Sequence, residues 1–411
     1  MAKVYLDYAA TTPLSKEVAK AIAPYLKQGF GNASSLHQWG RKAREAVETS
    51  RQQLSEFLNC SLTEVFFTGS ATEADNLAIF GVIRATLRQA QGKLQNFKPH
   101  IIISSIEHPA VLEPVKHLEK AGEIEATYLP VGKEGIVKVA DLEKAIKPPI
   151  RKPSVSNGAG NTVLVSIMYA NNEIGTIQPI AEIGKIIHQS PIANHQSPVI
   201  FHCDAVQAAN YLDCDVQKLG CDLLTLSAHK IYGPKGVGVL YVKKGTPVEP
   251  IIFGGHQENG LRPGTENVAG IVGFGAAAAA ISNLKSQIAN IAKLRDKLSN
   301  GILKNIPGTA LNGSRENRLP NNANISFQGV EGESILMALD QKGIAVSTGS
   351  ACASGSLEPS HVLMALHNSP IKAHGSIRFT LGRYTTASEI DYVLKVLPEV
   401  IEKLRKISPI K

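Results

Sequence analysis

Five apolar runs in this chain each deliver polar or ionisable residues at their ends. Phe66-Phe67-Thr68 leads into Gly69-Ser70-Ala71-Thr72-Glu73, and residues 101–105 lead into Glu107-His108-Pro109. Residues 163–170 precede Asn171-Asn172-Glu173. Residues 199–202 precede Asp204-Ala205-Val206-Gln207, and residues 223–226 precede Ser227-Ala228-His229-Lys230. If these runs are strands of one parallel sheet, the five clusters share its C-terminal edge, where open α/β sheets bind ligands. One such coincidence is cheap; five point to a site.

Each cluster suggests its own chemistry and has a plainer reading beside it. Free N–H groups, a hydroxyl and the positive end of a helix at Gly69-Ser70-Ala71-Thr72 suit a phosphate. Simple helix capping by Ser70 or Thr72 is the alternative. Lys230, at the end of a buried strand, can lose its proton and form a Schiff base, or it merely starts a surface loop. Asp204 comes 26 residues earlier, at the end of the preceding strand. Its carboxylate can pair with a protonated pyridine nitrogen, or cap the next helix. His108 can stack on a planar ring or move a proton, or be a satisfied histidine at a helix start. Arg378, a charge inside Ile377-Arg378-Phe379-Thr380, can clamp a carboxylate, or lie on an edge strand.

Cys352 stands apart. It lies within Ser347-Thr348-Gly349-Ser350-Ala351-Cys352-Ala353-Ser354-Gly355-Ser356, a run of small residues that cannot anchor itself in a core. The run reads as a mobile loop carrying one thiol. Exposed thiols are prone to oxidation, so one placed there suggests use; an incidental loop cysteine is the alternative. Cys60, Cys203, Cys214 and Cys221 sit in or near apolar segments and read as small core hydrophobes.

Positioning these groups requires an α/β framework. Residues 65–67, 101–104, 127–129, 163–168, 199–202, 223–226 and 237–242 each read as a buried strand. Helical patterns at 73–88, 109–120 and 180–188 lie between them, which predicts a mostly parallel, seven-stranded sheet. An Ala-rich helical run is expected from 267 to 303, then strands at 323–327, 344–347 and 376–379. The expected organisation is a large domain, 15–260, and a smaller α+β domain made of 1–14 and 261–411, which carries the Cys352 loop. Residues 148–160 and 189–198 are polar and rich in Pro, Gly, Ser or Asn, and read as surface loops.

Composition narrows the function. The 411 residues are 43% hydrophobic and 19% charged, the balance of a globular chain. No apolar run approaches the roughly 20 residues of a membrane span. The net charge of +8 is spread without blocks, so no nucleic-acid partner is expected. Five cysteines, an odd number without a CxxC pair, suggest neither a disulfide framework nor a metal site. They fit a reducing compartment. Residues 1–7 have no signal or transit character, so a cytoplasmic location is expected.

Together the motifs resemble the cysteine desulfurases of the NifS/IscS type, within the fold-type I pyridoxal-phosphate enzymes. The resemblance runs from Val4-Tyr5-Leu6-Asp7-Tyr8-Ala9-Ala10-Thr11-Thr12 to Arg378-Phe379-Thr380-Leu381-Gly382-Arg383. Thr68-Gly69-Ser70-Ala71-Thr72-Glu73-Ala74-Asp75-Asn76, Glu107-His108 and Asn171-Asn172-Glu173-Ile174-Gly175 carry it between those ends. Ser227-Ala228-His229-Lys230-Ile231-Tyr232-Gly233-Pro234 and Ser350-Ala351-Cys352 are its most specific parts. Small departures are Ala33 in Asn32-Ala33-Ser34-Ser35, where Pro is usual, and His256 after Gly254-Gly255.

The resemblance implies pyridoxal 5′-phosphate as cofactor, with Lys230 carrying it and shuttling protons. It implies His108 stacked on the ring, Asp204 at the pyridine nitrogen and Gln207 at the ring hydroxyl. Ala71, Thr72, Ser227 and His229 would hold the phosphate, joined by Thr265 from the other subunit of a homodimer. Asn172 and Arg378 would bind the carboxylate of L-cysteine, and Cys352 would take its sulfur as a persulfide, leaving L-alanine. An iron–sulfur scaffold or another acceptor protein would then receive the sulfur. A selenocysteine lyase or an aminotransferase on the same scaffold is the alternative, and a non-catalytic iron–sulfur assembly protein is the rival of another class.

Overall fold

The computed structural model describes residues 3–90, 97–146, 159–189, 199–281, 285–348, 359–367 and 369–409. Its centre is a seven-stranded sheet. Across the sheet the strands are Val65–Thr68, Gly238–Val242, Leu223–Ser227, Ile200–Asp204, Ala159–Ser166, Lys98–Ser104 and Glu125–Leu129. Gly238–Val242 runs antiparallel to both of its neighbours, and every other pairing is parallel.

Alternation along the strands explains why both faces are covered. Ile101, Ile103, Leu164, Ile200, Leu223 and Leu240 face one apolar core, shared with Leu77, Ala78 and Val82 of the helix Ala71–Ala90 and Val111 and Val115 of the helix Pro109–Lys120. The intervening Ile102, Val165, Phe201, Cys203, Leu224 and Val239 face a second core with Leu54 of Gln38–Leu58 and Ile183 of Ile180–Gln189. A strand with both faces buried is apolar throughout, so each of the seven expected strands is present within a few residues. The strand expected at 163–168 begins earlier, at Ala159, inside the stretch read as a loop from 148 to 160. Residues 147–158 and 190–198 lie outside the described residues.

A second layer is built on three antiparallel strands, Ser376–Thr380, Asn322–Phe327 and Thr309–Leu311. The helices Lys285–Asn305, Gly332–Asp340 and Ala387–Ile407 accompany it. Val4 and Leu6 join the separate, smaller core of this layer, beside Leu298, Ile325, Phe379 and Leu397. Val4–Tyr5 pairs in parallel with Ile344–Ala345, and Asp7 bridges to Thr380. The strand expected at 344–347 covers only Ile344–Ala345. Thr309–Leu311 and Val4–Tyr5 have no counterpart in the sequence reading, because two or three residues are too few to show a period.

The Ala-rich run from 267 to 303 divides into two helices, Val268–Ile281 and Lys285–Asn305. Ile271, Phe274, Ala277 and Ala278 of the first enter the core of the large sheet, whereas Leu294, Leu298 and Ile302 of the second enter the smaller core. No single helix among the described residues is long and apolar enough to cross a membrane.

Candidate active site

The five strand-end clusters meet. They line a cavity of about 590 Å³, with residues 9–11 of the N-terminal segment and Arg378 closing it from the other side.

Lys230 ends the short turn Ala228–Lys230 that follows the strand Leu223–Ser227. Its Nζ donates to the carbonyls of Ala9, at 2.6 Å, and Ala10, at 2.8 Å. Two residues on, Tyr232 adopts a left-handed φ of 67°, a conformation that costs a non-glycine residue about 1–2 kcal/mol. Its surroundings hold it there: its N–H donates to Thr12 Oγ1 at 2.8 Å, and its hydroxyl accepts the Arg383 N–H at 2.6 Å. The turn that aims Lys230 is therefore fixed by contacts from both ends of the chain.

His108 caps the helix Pro109–Lys120, with Pro109 at the first helical position, where a missing N–H costs nothing. Its Nδ1 accepts the Ala110 N–H at 3.1 Å, which assigns the proton of the neutral ring to Nε2. Burial, then the Lys230 charge and His361, push its pKa down to about 4. The ring at the cavity wall is therefore uncharged at neutral pH.

Asp204 closes its strand with Oδ1 accepting the Val206 N–H at 2.9 Å. Burial raises its pKa, while that hydrogen bond and the Lys230 charge oppose the rise. Gln207 Nε2 donates to Ala9 O at 3.0 Å. His229 Nδ1 lies 3.2 Å from Thr11 Oγ1, and burial, then Lys230 and Lys235, push its pKa down to about 4.

At the opposite end the helix Ala71–Ala90 points its N-terminus into the cavity. Ser70 Oγ takes the Glu73 N–H at 3.1 Å. The Ala71 and Thr72 N–H groups belong to the first turn, which has no intrahelical acceptors. Gly238 lets the sheet approach this turn: a Cβ there would stand 2.5 Å from the Ser70 carbonyl carbon. Ser227, Gly238's partner across the strands, lines the same end. This is a built anion site. A lysine amine, a carboxylate, an uncharged imidazole and an anion cradle fit a phosphorylated pyridine aldehyde.

Arg378 is only 2% exposed. Nη1 donates to Asn172 O at 3.0 Å, and Nη2 pairs with Asp7 Oδ1 at 2.9 Å. Its Nε has no partner. Thr265 is not in the cavity; it is exposed and lines a separate space of about 130 Å³ beside Gly69 and Gly236. Cys352 lies outside the described residues. The residues flanking 349–358 are described. Ser347 bridges to Arg378. Ser360 donates to Glu173 Oε2 at 2.5 Å, and His361 Nε2 lies 2.9 Å from Glu107 O. Both flanks thus reach neighbours of the cavity.

Matching with known proteins is consistent with this geometry. The model of the class-V aminotransferases matches residues 4–393. The chain belongs to the class-V aminotransferase family. The cofactor of this class-V protein is pyridoxal 5′-phosphate. A Dictyoglomus turgidum protein named cysteine desulfurase IscS is 52% identical over 411 residues, spanning 100% of this chain and 97% of its own length. A Methanosarcina thermophila protein of the same name is 47% identical over 408 residues, spanning 99% and 94%. Among solved structures, a NifS-like protein superposes with a TM-score of 0.86 at 35% identity, covering 98% of this chain and 100% of its own. A structure described as SspA in complex with cysteine superposes at 0.77 and 33% identity, covering 93% and 100%.

The sequence reading assigned nothing individually to Asp7, Ala9, Ala10, Thr11, Asp75 or Lys235, all at or beside the cavity. Ala9 and Ala10 act through backbone carbonyls, which no residue type betrays. Asp75 lies among Thr72, Glu73 and Asn76 at the start of the helix Ala71–Ala90, where an acid is ordinary and carries no signal.

Proposed function

We propose that this chain is a cysteine desulfurase, converting L-cysteine and a protein thiol into L-alanine and a persulfide on Cys352. The observation that carries this reading is the convergence of Lys230, His108, Asp204 and Arg378 on one cavity, with the flanks of the Cys352 segment bonded to its neighbours.

Pyridoxal phosphate supplies the electron sink that makes bonds around the substrate α-carbon labile. Five groups of this chain would hold it. Lys230 Nζ would attach it, Asp204 would pair with the ring nitrogen, His108 would cover the ring as a neutral imidazole, and Gln207 would bond the ring hydroxyl; the fifth is the phosphate site. Ala71, Thr72, Ser227 and His229 hold the phosphate, completed by Thr265 of a second copy; its exposure fits a contact with another chain.

Arg378 and Asn172, which both line the cavity, bind the substrate carboxylate. Lys230 Nζ, once released from the Ala9 and Ala10 carbonyls, takes the α-proton. The Cys352 thiolate attacks the substrate sulfur. The new S–S bond forms as the carbon–sulfur bond breaks, and its electron pair stays with the carbon fragment, which collects protons and leaves as alanine. A thiol is mostly protonated at neutral pH, and His108, with Nε2 protonated and Nδ1 engaged by the Ala110 N–H, could take its proton only at Nδ1, at the expense of that hydrogen bond. The substrate amine is the other acceptor within this site.

The sulfur goes on to an iron–sulfur scaffold or another acceptor protein, in a reducing cytoplasm. Cys60, Cys203, Cys214 and Cys221 are free thiols, which suits that compartment. Two units serve the chemistry: a large one built on the seven-stranded sheet, taking in Val268–Ile281 by its packing, and a smaller one formed by the N-terminal segment and the C-terminal third.

The test is product stoichiometry. Protein incubated with L-cysteine and a mild reductant should yield equal alanine and sulfide, and Cys352→Ala should yield almost no sulfide. Sulfide release at the wild-type rate from Cys352→Ala would make the protein a lyase that needs no thiol. Turnover of selenocysteine but not cysteine would favour the selenocysteine lyase.

A further inference from the structure

The strand Val65–Thr68 forms one edge of the large sheet and pairs only with Gly238–Val242. The outer side of an edge strand has backbone donors and acceptors without ladder partners. Here charged side chains meet them. Arg51 Nη1 donates to Val65 O at 2.7 Å, and Glu258 Oε2 accepts the Phe67 N–H at 2.8 Å. One step further, where the strand has become the anion-cradle turn, Glu73 Oε2 accepts the Gly69 N–H at 2.9 Å.

Each acid is met by an arginine. Arg51 holds both oxygens of Glu258, each at 2.8 Å. Arg262 Nε donates to Glu73 Oε1 at 2.6 Å, and its Nη2 donates to Oε2 at 3.2 Å. Glu258 and Arg262 come from one stretch, the turn Gln257–Gly260 and the residues just after it. The first pair braces the strand. The second braces the turn that leads into the helix Ala71–Ala90.

Glu73 closes that turn from two sides. Its N–H donates to Ser70 Oγ at 3.1 Å, and its carboxylate takes the Gly69 N–H. Neither bond uses the N–H of Ala71 or Thr72. Gly69 has to be a glycine for the pair to fit: a Cβ there would stand 2.8 Å from Glu73 Oε2 and 3.3 Å from Arg262 Nη2. The arrangement also has a cost. A carboxylate one residue from Thr72 places a negative charge beside an anion site, and like charges repel. The Arg262 guanidinium, bound to both oxygens, offsets that charge. Arg262 does not itself line the cavity; it borders the separate space of about 130 Å³ beside Gly69.

We propose that Arg262 is a positioning residue for the phosphate site: by holding Glu73 it fixes the Gly69-Ser70 turn and cancels the negative charge that Glu73 would otherwise present to the phosphate. This rests on the reading of the Gly69–Thr72 turn as the site of the cofactor's phosphate.

The test measures two dissociation constants on the full-length protein by equilibrium dialysis. One is for pyridoxal 5′-phosphate and the other for pyridoxal, which lacks the phosphate. Arg262→Ala should weaken pyridoxal-phosphate binding roughly tenfold and leave pyridoxal within about twofold of wild type. Adding Glu73→Gln to Arg262→Ala removes the stranded charge and keeps an amide oxygen for the Gly69 N–H. The double variant should recover to within about threefold of wild type. If Arg262→Ala does not fold, Arg262→Gln keeps most of the side chain without its charge and should show the same selective loss. The proposal is overturned if the single variant binds pyridoxal phosphate as wild type does. It is also overturned if both ligands weaken equally, or if the double variant is no better than the single one. Equal binding of the two ligands by the wild-type protein would instead overturn the phosphate reading of the Gly69–Thr72 turn, and this inference with it.

Discussion

Asp7 and Arg378, 371 residues apart in sequence, form an ion pair of 2.9 Å at the cavity. The arginine is buried, and the aspartate is its bonded carboxylate among the described residues. Removing one partner of a buried pair leaves the other uncompensated. Asp7→Asn should therefore lower the thermal midpoint of the ligand-free protein by the equivalent of about 1.5–3 kcal/mol, the worth of a hydrogen bond to a charged group. An incoming carboxylate would then meet the guanidinium without a competing charge. L-Alanine should raise the midpoint of Asp7→Asn by more than it raises that of wild type. Equal shifts in the two proteins would show that Asp7 does not compete at the carboxylate site.

Lys230 lines the cavity, and its Nζ donates to the backbone carbonyls of Ala9 and Ala10, which any side chain would leave in place. Lys230→Ala should lower turnover by roughly a thousandfold or more, since attachment and proton transfer are lost together. Borohydride reduction followed by peptide mass analysis should find the cofactor on Lys230 in wild type. An adduct on another lysine would move the assignment.

His108 should stay neutral far below the usual histidine range. Its pKa is lowered from 6.5 to about 4, so the unfolded chain takes up its proton first. Stability therefore falls as the pH drops from 6.5 toward 4. NMR of ring-labelled histidine should show the His108 signal unshifted from about pH 8 to about pH 5. A midpoint near 6.5 would mean that the ring is more solvated than the structure has it.

Glu107 titrates in the opposite sense. Burial raises it from 4.5 to about 8, against hydrogen bonds from Ser104 and the Met168 N–H. The folded protein keeps a proton that the unfolded chain has lost. Its contribution to stability is thus complete below 4.5 and disappears as the pH rises through 8. Glu107→Gln has no such proton. Its stability relative to wild type should rise with pH over this window, by at most about 1.4 kcal/mol per unit. A difference that is constant with pH would refute the buried-acid assignment.

Much of this molecule was legible in its sequence for a specific reason. Runs such as Leu223–Ser227 and Ile200–Asp204 are buried on both faces, so they stand out as apolar blocks, and the polar residue that ends each block is an edge residue of the sheet. The seven strands, Lys230, His108, Asp204 and the Gly69–Thr72 turn follow from that rule. The rule is silent where function passes through the backbone, as at Ala9 and Ala10. It is also silent where a strand is two residues long, as at Val4–Tyr5. The break after Ile281 was hidden because the alanines before it and the amphipathic stretch after it share a helical period.

The N-terminal segment has a consequence for how the protein is made. Residues 4–12 are synthesised more than 300 residues before some of their partners, which include Ile344, Ala345, Arg378 and Thr380. Until residues 344–380 are made, the segment has its contacts to Gln207, His229 and Tyr232 but not its strand partners. The large sheet can form early from its own neighbours, but closing a loop of this length is slow and entropically costly. One wall of the cavity is therefore completed only when Arg378 and Thr380 meet residues 4–9, a closure between positions more than 300 residues apart.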